Sequence, residues 1–273
     1  MKKSTRNYLA LIVRILIGLV YLAPILIAVI YSFHPNTDFV KTGVKLISNN
    51  LTFENYKYVV DNFKIWTYLK NTLVVAVVAI PVSIIITSFS AYAFTFFNFP
   101  LRNAGYMLYL TVLMIPGECV FLTTYLMVHR MNLINTYIAL MLPYFNGIGA
   151  MILIRQSMLA VPIELWEAAK MDGCTKMKYY RHVMMPLCKP IITTQVITSF
   201  ISIYNAYFWP LMVTTRDEWH TVQIGLKNVI MDNGGQYGYV LAGAVMSMVI
   251  PLALYLINQK RIITGMSAGA VKG

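Results

Sequence analysis

The sequence predicts an all-α integral membrane protein with six transmembrane helices, and three observations carry that expectation. Of the 273 residues, 58% are hydrophobic and only 12% are charged, whereas a typical soluble domain carries about 25% charged residues. The apolar residues gather into six runs long enough to cross about 30 Å of hydrocarbon. The Lys and Arg residues divide unequally between the loops that those runs leave. An aqueous globular enzyme is therefore a poor fit to the composition.

The runs cover roughly residues 8–32, 71–95, 105–128, 136–156, 191–213 and 239–258. The first exceeds the 7–15 residues of a signal-peptide core and no small-residue cleavage site follows, so it reads as a retained anchor. In the second, only Pro81 and Ser83 interrupt Leu73–Ile86, and membrane helices tolerate proline better than soluble ones do. The third contains Pro116-Gly117 followed by Glu118. The fifth is the most polar, with Ser199, Ser202 and Asn205.

An even number of spans places both termini on one side. Of the 22 Lys and Arg residues, 14 fall on that side and 8 on the other, which puts the termini in the cytoplasm. The formal charge of +12 is thus spread along loops beside an anionic leaflet, and it gives no reason to expect nucleic acid. Three cysteines, Cys119, Cys174 and Cys188, and four scattered histidines show no metal-ligand spacing. No Gly-x-x-x-x-Gly-Lys-Ser/Thr phosphate loop occurs in the chain.

Three segments outside the spans stand out. Residues 33–70 mix polar and aromatic side chains, suited to a short amphipathic helix at the interface. Residues 214–238 read as a polar excursion on the outer side. Residues 157–190 form a long inner loop. There Pro162 suits a first helical turn, Glu164 suits the positive end of the helix dipole and Gly173 suits a left-handed stop. These signals predict a short helix over 163–171 and a second over 176–183 ended by Pro186.

Within that loop the string Glu167-Ala168-Ala169, three residues, Gly173, then Pro186 resembles the EAA loop of membrane subunits of bacterial ABC importers. Asp172 precedes the glycine, as is usual in the sugar branch. The resemblance runs along nearly the whole chain and is closest to MalG-like carbohydrate permeases. It includes Asn71-Thr72, Met114 to Glu118, Ala206 to Leu211 and the tail Gly265–Gly273, while Tyr204 departs from the Trp found in many relatives.

The resemblance implies a type I ABC importer permease fold. It divides the chain into an N-terminal part (1–66), a five-helix core (67–258) and a cytoplasmic tail (259–273). It implies a bacterial inner-membrane transport subunit that is not itself an enzyme and binds no cofactor, with ATP and Mg held by two partner ATP-binding subunits. A second MalF-like permease and an extracytoplasmic solute-binding protein complete the expected assembly. Glu167, Ala168, Ala169, Asp172, Gly173 and Pro186 would couple to the ATPase, which Ser267, Ala268, Gly269 and Lys272 of the tail would also contact. Trp219, Asn233, Gly234, Gly235 and Tyr237 would face the binding protein.

Along the substrate path the candidates are Glu118, Tyr204, Asn205 and Tyr207. An acid inside a span is costly enough to suggest function, although Glu118 can equally cap a broken helix or pair with the partner permease. The amide and aromatic groups near Asn205 suit a sugar, and they equally suit an aromatic belt. The cargo expected from the resemblance is a sugar or oligosaccharide, with glycerol 3-phosphate or a glycerophosphodiester as the alternative. A secondary transporter would need charged relays in the spans, for which Arg14 and Glu118 are a thin basis. A membrane-embedded enzyme would need a catalytic constellation that the spans lack.

Overall fold

The computed structural model describes residues 3–37 and 50–270, with side chains over 11–37 and 50–259. Every regular element among them is helical. Three helices are long and apolar enough to cross a membrane alone, within α1 (Lys3–Ser32), α3 (Ile65–Phe96) and α14 (Tyr237–Ala270). Three bent pairs among the described residues bring the total to as many as six if each pair makes one crossing. The chain separates into two compact units, Met1–Trp66 with Ile224–Ile250, and Thr67–Gln223 with Pro251–Gly273.

In the first unit the amphipathic helix α2 (Glu54–Asn62) buries Asn55 and Val59. Asn55 Nδ2 donates to the carbonyls of Ser32 and His34, both at 2.8 Å, which satisfies backbone acceptors left free where α1 ends. Asn36 Nδ2 donates to Asn55 Oδ1, and Asn36 Oδ1 accepts from the Gly238 amide at the start of α14. Only glycine fits at 238, because a Cβ there would lie 2.7 Å from Asn55 Nδ2. Tyr58 stacks on Tyr239 with ring centroids 3.8 Å apart.

The second unit holds the bent pairs. The first joins α4 (Arg102–Thr111) and a following 3₁₀ turn to α5 (Gly117–Arg130), and it bends by 97°. Pro116 explains the break: it has no N–H to donate and it drives Ile115 into an extended conformation at φ −85°, ψ 115°. The second pair joins α6 (Tyr137–Met141), extended by a 3₁₀ turn to Tyr144, to α7 (Ile148–Leu159) at 45°. Beyond α7 come the loop helices α8 (Glu164–Met171), α9 (Lys176–Tyr179) and α10 (Met185–Leu187). The third bend, of 72°, separates the last of these from α11 (Lys189–Tyr204).

The structure corrects the sequence in three places. The fifth span, expected over 191–213, ends at Tyr204, and a separate helix α12 (Phe208–Val213) follows. Pro210 sits in the first turn of α12, where its missing N–H costs nothing, whereas in a continuous helix its ring would strike the carbonyl of residue 206. The second loop helix does not stop before Pro186. It passes through a π-helical turn at Tyr180–Met184 and continues to Leu187. Residues 214–238, expected as a polar excursion, contain helix α13 (Val222–Asp232), in which Val222, Ile224 and Val229 are buried.

Side-chain hydrogen bonds tie loops at the N-terminal end of α3. Asn71 Nδ2 donates to the carbonyls of Glu218 and His220, and its Oδ1 accepts from Tyr137 Oη at 2.7 Å. Thr72 Oγ1 accepts from the Val222 amide, and Tyr68 Oη bonds Asp217. Trp209 Nε1 donates to the Ala139 carbonyl at 2.9 Å, locking α12 to α6.

Candidate functional site

The loop 157–190 lies at the opposite end of α3 and is anchored by a compact core. Tyr179, Tyr180, Met184 and Cys188 pack against Ala91 and Tyr92 of α3 and against Met151, Ile154 and Met158 of α7. Tyr180 Oη and Ser88 Oγ share a buried hydrogen bond of 2.8 Å, and Tyr92 Oη donates to the Lys176 carbonyl at 2.7 Å. Trp166 meets Tyr179 edge to face at 4.9 Å. Burial, with the Cys174 thiol adding a little, raises the pKa of the Tyr179 phenol above its ordinary value. A helix as short as α8 is marginal by itself, so this apolar footing holds it in place.

The end of α8 follows the Schellman pattern. The Gly173 amide donates to the Lys170 carbonyl and the Cys174 amide to the Ala169 carbonyl. Gly173 has φ +71°, a left-handed backbone that a Cβ penalises. Thr175 then caps α9, accepting from the Lys178 amide.

The six loop residues of the EAA string fall on two faces. Glu167, Ala168, Asp172, Gly173 and Pro186 are exposed, and Ala169 is half-buried against the aromatic core. The exposed set is joined by Ile163, Leu165 and Met171, of which Met171 is 88% exposed. A small, partly acidic and partly apolar surface thus projects from a rigid base. Ser267, Ala268 and Gly269 lie within α14, and Lys272 lies outside the described residues.

The remaining candidates are dispersed. Tyr204 is buried and stacks on Phe200 at 5.6 Å. Asn205 closes the end of α11, exposed, and accepts from Gln223 Nε2 at 3.5 Å. Tyr207 is half-buried before α12. Glu118 stands apart in the first turn of α5, exposed, where the helix dipole favours a carboxylate, and has no side-chain partner among the described residues. A cavity of about 400 Å³ with a mixed polar and apolar lining opens in this unit, and none of these four residues lines it.

Trp219 packs edge to face on Tyr137 at 5.1 Å. In the other unit Asn233 is buried, accepting from Tyr58 Oη and donating to the Val229 carbonyl. Gly234, Gly235 and Tyr237 beside it are exposed, with Gly235 at φ +98°.

Among the described residues, helices alone, three to six apolar spans and a rigidly footed loop make the architecture of a polytopic membrane protein. The chain matches the binding-protein-dependent transport system inner membrane components over residues 79–261, more than half its length, and it belongs to that family. It is 32% identical to the arabinooligosaccharides transport system permease protein AraQ of Halalkalibacterium halodurans, with all of both chains covered. It is 29% identical to the sn-glycerol-3-phosphate permease protein UgpE of Rhizobium meliloti, with 97% of each covered. Its fold is shared with a bacterial ABC transporter involved in import of the acidic polysaccharide alginate, at TM-score 0.83 and 22% identity over 95% of this chain and 98% of that one.

Proposed function

We propose that this permease subunit imports a sugar or oligosaccharide, driven by ATP hydrolysis on two separate ATP-binding subunits, with a second MalF-like permease as its partner in the membrane. The observation that carries the reading is the exposed Glu167, Ala168, Asp172 and Gly173 surface, held on an aromatic base that grips α3 and α7 together. A rigid link of that kind converts closure of an ATPase pair into movement of membrane helices. Ala168 lets a partner approach closely, and Glu167 offers a charge to a basic group or backbone donor.

Both termini face the cytoplasm in this reading, so the tail from Ser267 extends toward the ATPase subunits. Gly234, Gly235 and Tyr237, with Trp219, face the extracytoplasmic binding protein. Glu118, without a side-chain partner among the described residues, is assigned to the contact with the second permease. The arabinooligosaccharide relatives favour a saccharide cargo; the glycerol 3-phosphate relatives support the second reading, a phosphorylated polyol.

The test is purification of the chain from its native membrane with its bound partners, followed by ATP hydrolysis with and without Glu167→Ala. Co-purification of an ATP-binding subunit and a lowered ratio of transport to hydrolysis in the variant are expected. A complex without any ATPase subunit would sink the reading.

A further inference from the structure

The second unit holds a half-open cavity of about 400 Å³ between α3, the break preceding α7, and α11, within the range of small-ligand sites. Its polar lining includes Ser83, Asn146, Gln195, Ser199 and Ser202, with Thr198 bonded to its own helix, and no charged residue takes part. Ser83 lies near the middle of the 32-residue α3, at the depth where transporters hold their cargo.

Several of these groups have no hydrogen-bond partner among the described residues. Gln195 is only 9% exposed, yet its side-chain amide has no hydrogen-bond partner among the described residues. The hydroxyls of Ser83, Ser199 and Ser202 are also unpartnered among the described residues; Ser83 is 6% exposed, Ser199 is half-buried and Ser202 lies at the open side of the cavity. Asn146 Oδ1 accepts from Tyr109 Oη, which leaves its two N–H groups for the cavity. Unpaired polar groups inside a membrane protein are costly, so the buried Gln195 and Ser83, facing the same void as the more open Asn146, Ser199 and Ser202, mark a place for a hydrogen-bonding guest.

The break between α6 and α7 brings backbone to the same place. At Gly147 a Cβ would sit 3.2 Å from both Ser83 Oγ and Ala150 Cβ, so glycine allows the broken strand of helix to press against α3. Discontinuous helices at this depth free backbone groups that line a cavity.

From this arrangement we infer that the subunit carries its own intramembrane site for an uncharged saccharide, with Gln195 as the central amide and Ser83, Asn146, Ser199 and Ser202 around it. Amides and hydroxyls exchange hydrogen bonds with sugar hydroxyls in both directions. A phosphate or uronate needs a cationic or equivalent charge-assisted donor, which this lining does not provide. The inference rests on the importer reading and narrows it, selecting the neutral saccharide over the phosphorylated polyol.

The experiment uses the whole transporter, reconstituted in proteoliposomes with its binding protein. The probes are labelled neutral trisaccharides (arabinotriose, xylotriose, maltotriose), a trigalacturonate and glycerol 3-phosphate. ATP-driven uptake of a neutral trisaccharide is expected, with KM raised or maximal uptake lowered at least tenfold by Gln195→Leu and by the gentler pair Ser199→Ala with Ser202→Ala. Co-purification of the partner subunits shows that the variants still assemble. Uptake of trigalacturonate or glycerol 3-phosphate in place of the neutral probes overturns the inference, as do unchanged uptake in an assembled double variant and uptake of none of the neutral probes. A wild-type complex whose ATP hydrolysis does not respond to the binding protein would instead overturn the importer reading itself.

Discussion

Substituting Gly173 separates what the backbone needs from what a partner needs. At φ +71° an L-residue with a Cβ pays about 1–2 kcal/mol, and asparagine, which tolerates this region, pays less. Nothing lies within 4 Å of the position a Cβ would occupy, so this chain adds no steric penalty. In the isolated subunit, Gly173→Ala should therefore lower stability by about 1–2 kcal/mol and Gly173→Asn by a smaller amount, read by thermal melting in detergent. In the assembled transporter, the open space at Gly173 would be filled by the ATP-binding partner. Both variants should then lose at least tenfold in transport per ATP hydrolysed, equivalent to about 1.4 kcal/mol, which is comparable to the local backbone cost for alanine and exceeds the smaller cost for asparagine. A Gly173→Asn transporter that couples like wild type would refute the docking of this surface.

Met184→Ala should cost about 2–5 kcal/mol, because Met184 is fully buried in the core beneath the loop; melting and the yield of assembled complex report it. Asn55→Ala and Asn55→Asp should both destabilise by about 1–3 kcal/mol, since neither side chain can donate to the Ser32 and His34 carbonyls. An Asn55→Asp chain melting like wild type would show that these bonds contribute nothing. Burial, opposed by a hydrogen bond with Ser157, raises the Cys188 thiol pKa and so lowers its thiolate fraction at a given pH. At pH 8 maleimide should label half-exposed Cys174 well before buried Cys188, and equal rates would contradict that burial.

Much of the loop was legible in the sequence because its signals are local. Pro162, Gly173 and Thr175 act within a turn of where they stand, and the first loop helix differs from its expected bounds by one residue at its start. The π turn at Tyr180–Met184 carries no such mark. It accompanies the packing of Tyr180 against Ser88 and of Met184 against α7, contacts across about ninety and thirty residues of chain.

By itself the sequence determined the class of protein, the position of its apolar runs and the exposed turn from Glu167 to Gly173. Apolar runs must match the thickness of hydrocarbon, and turn residues act on their own backbone. Tertiary structure alone decided that the fifth crossing ends at Tyr204, that Asn233 is committed to Tyr58, and that Gln195 opens into a void with Ser83 and Ser199. A glutamine or serine in an apolar run carries no label for its neighbours. Only the meeting of α3, α7 and α11 shows which polar groups are left without partners.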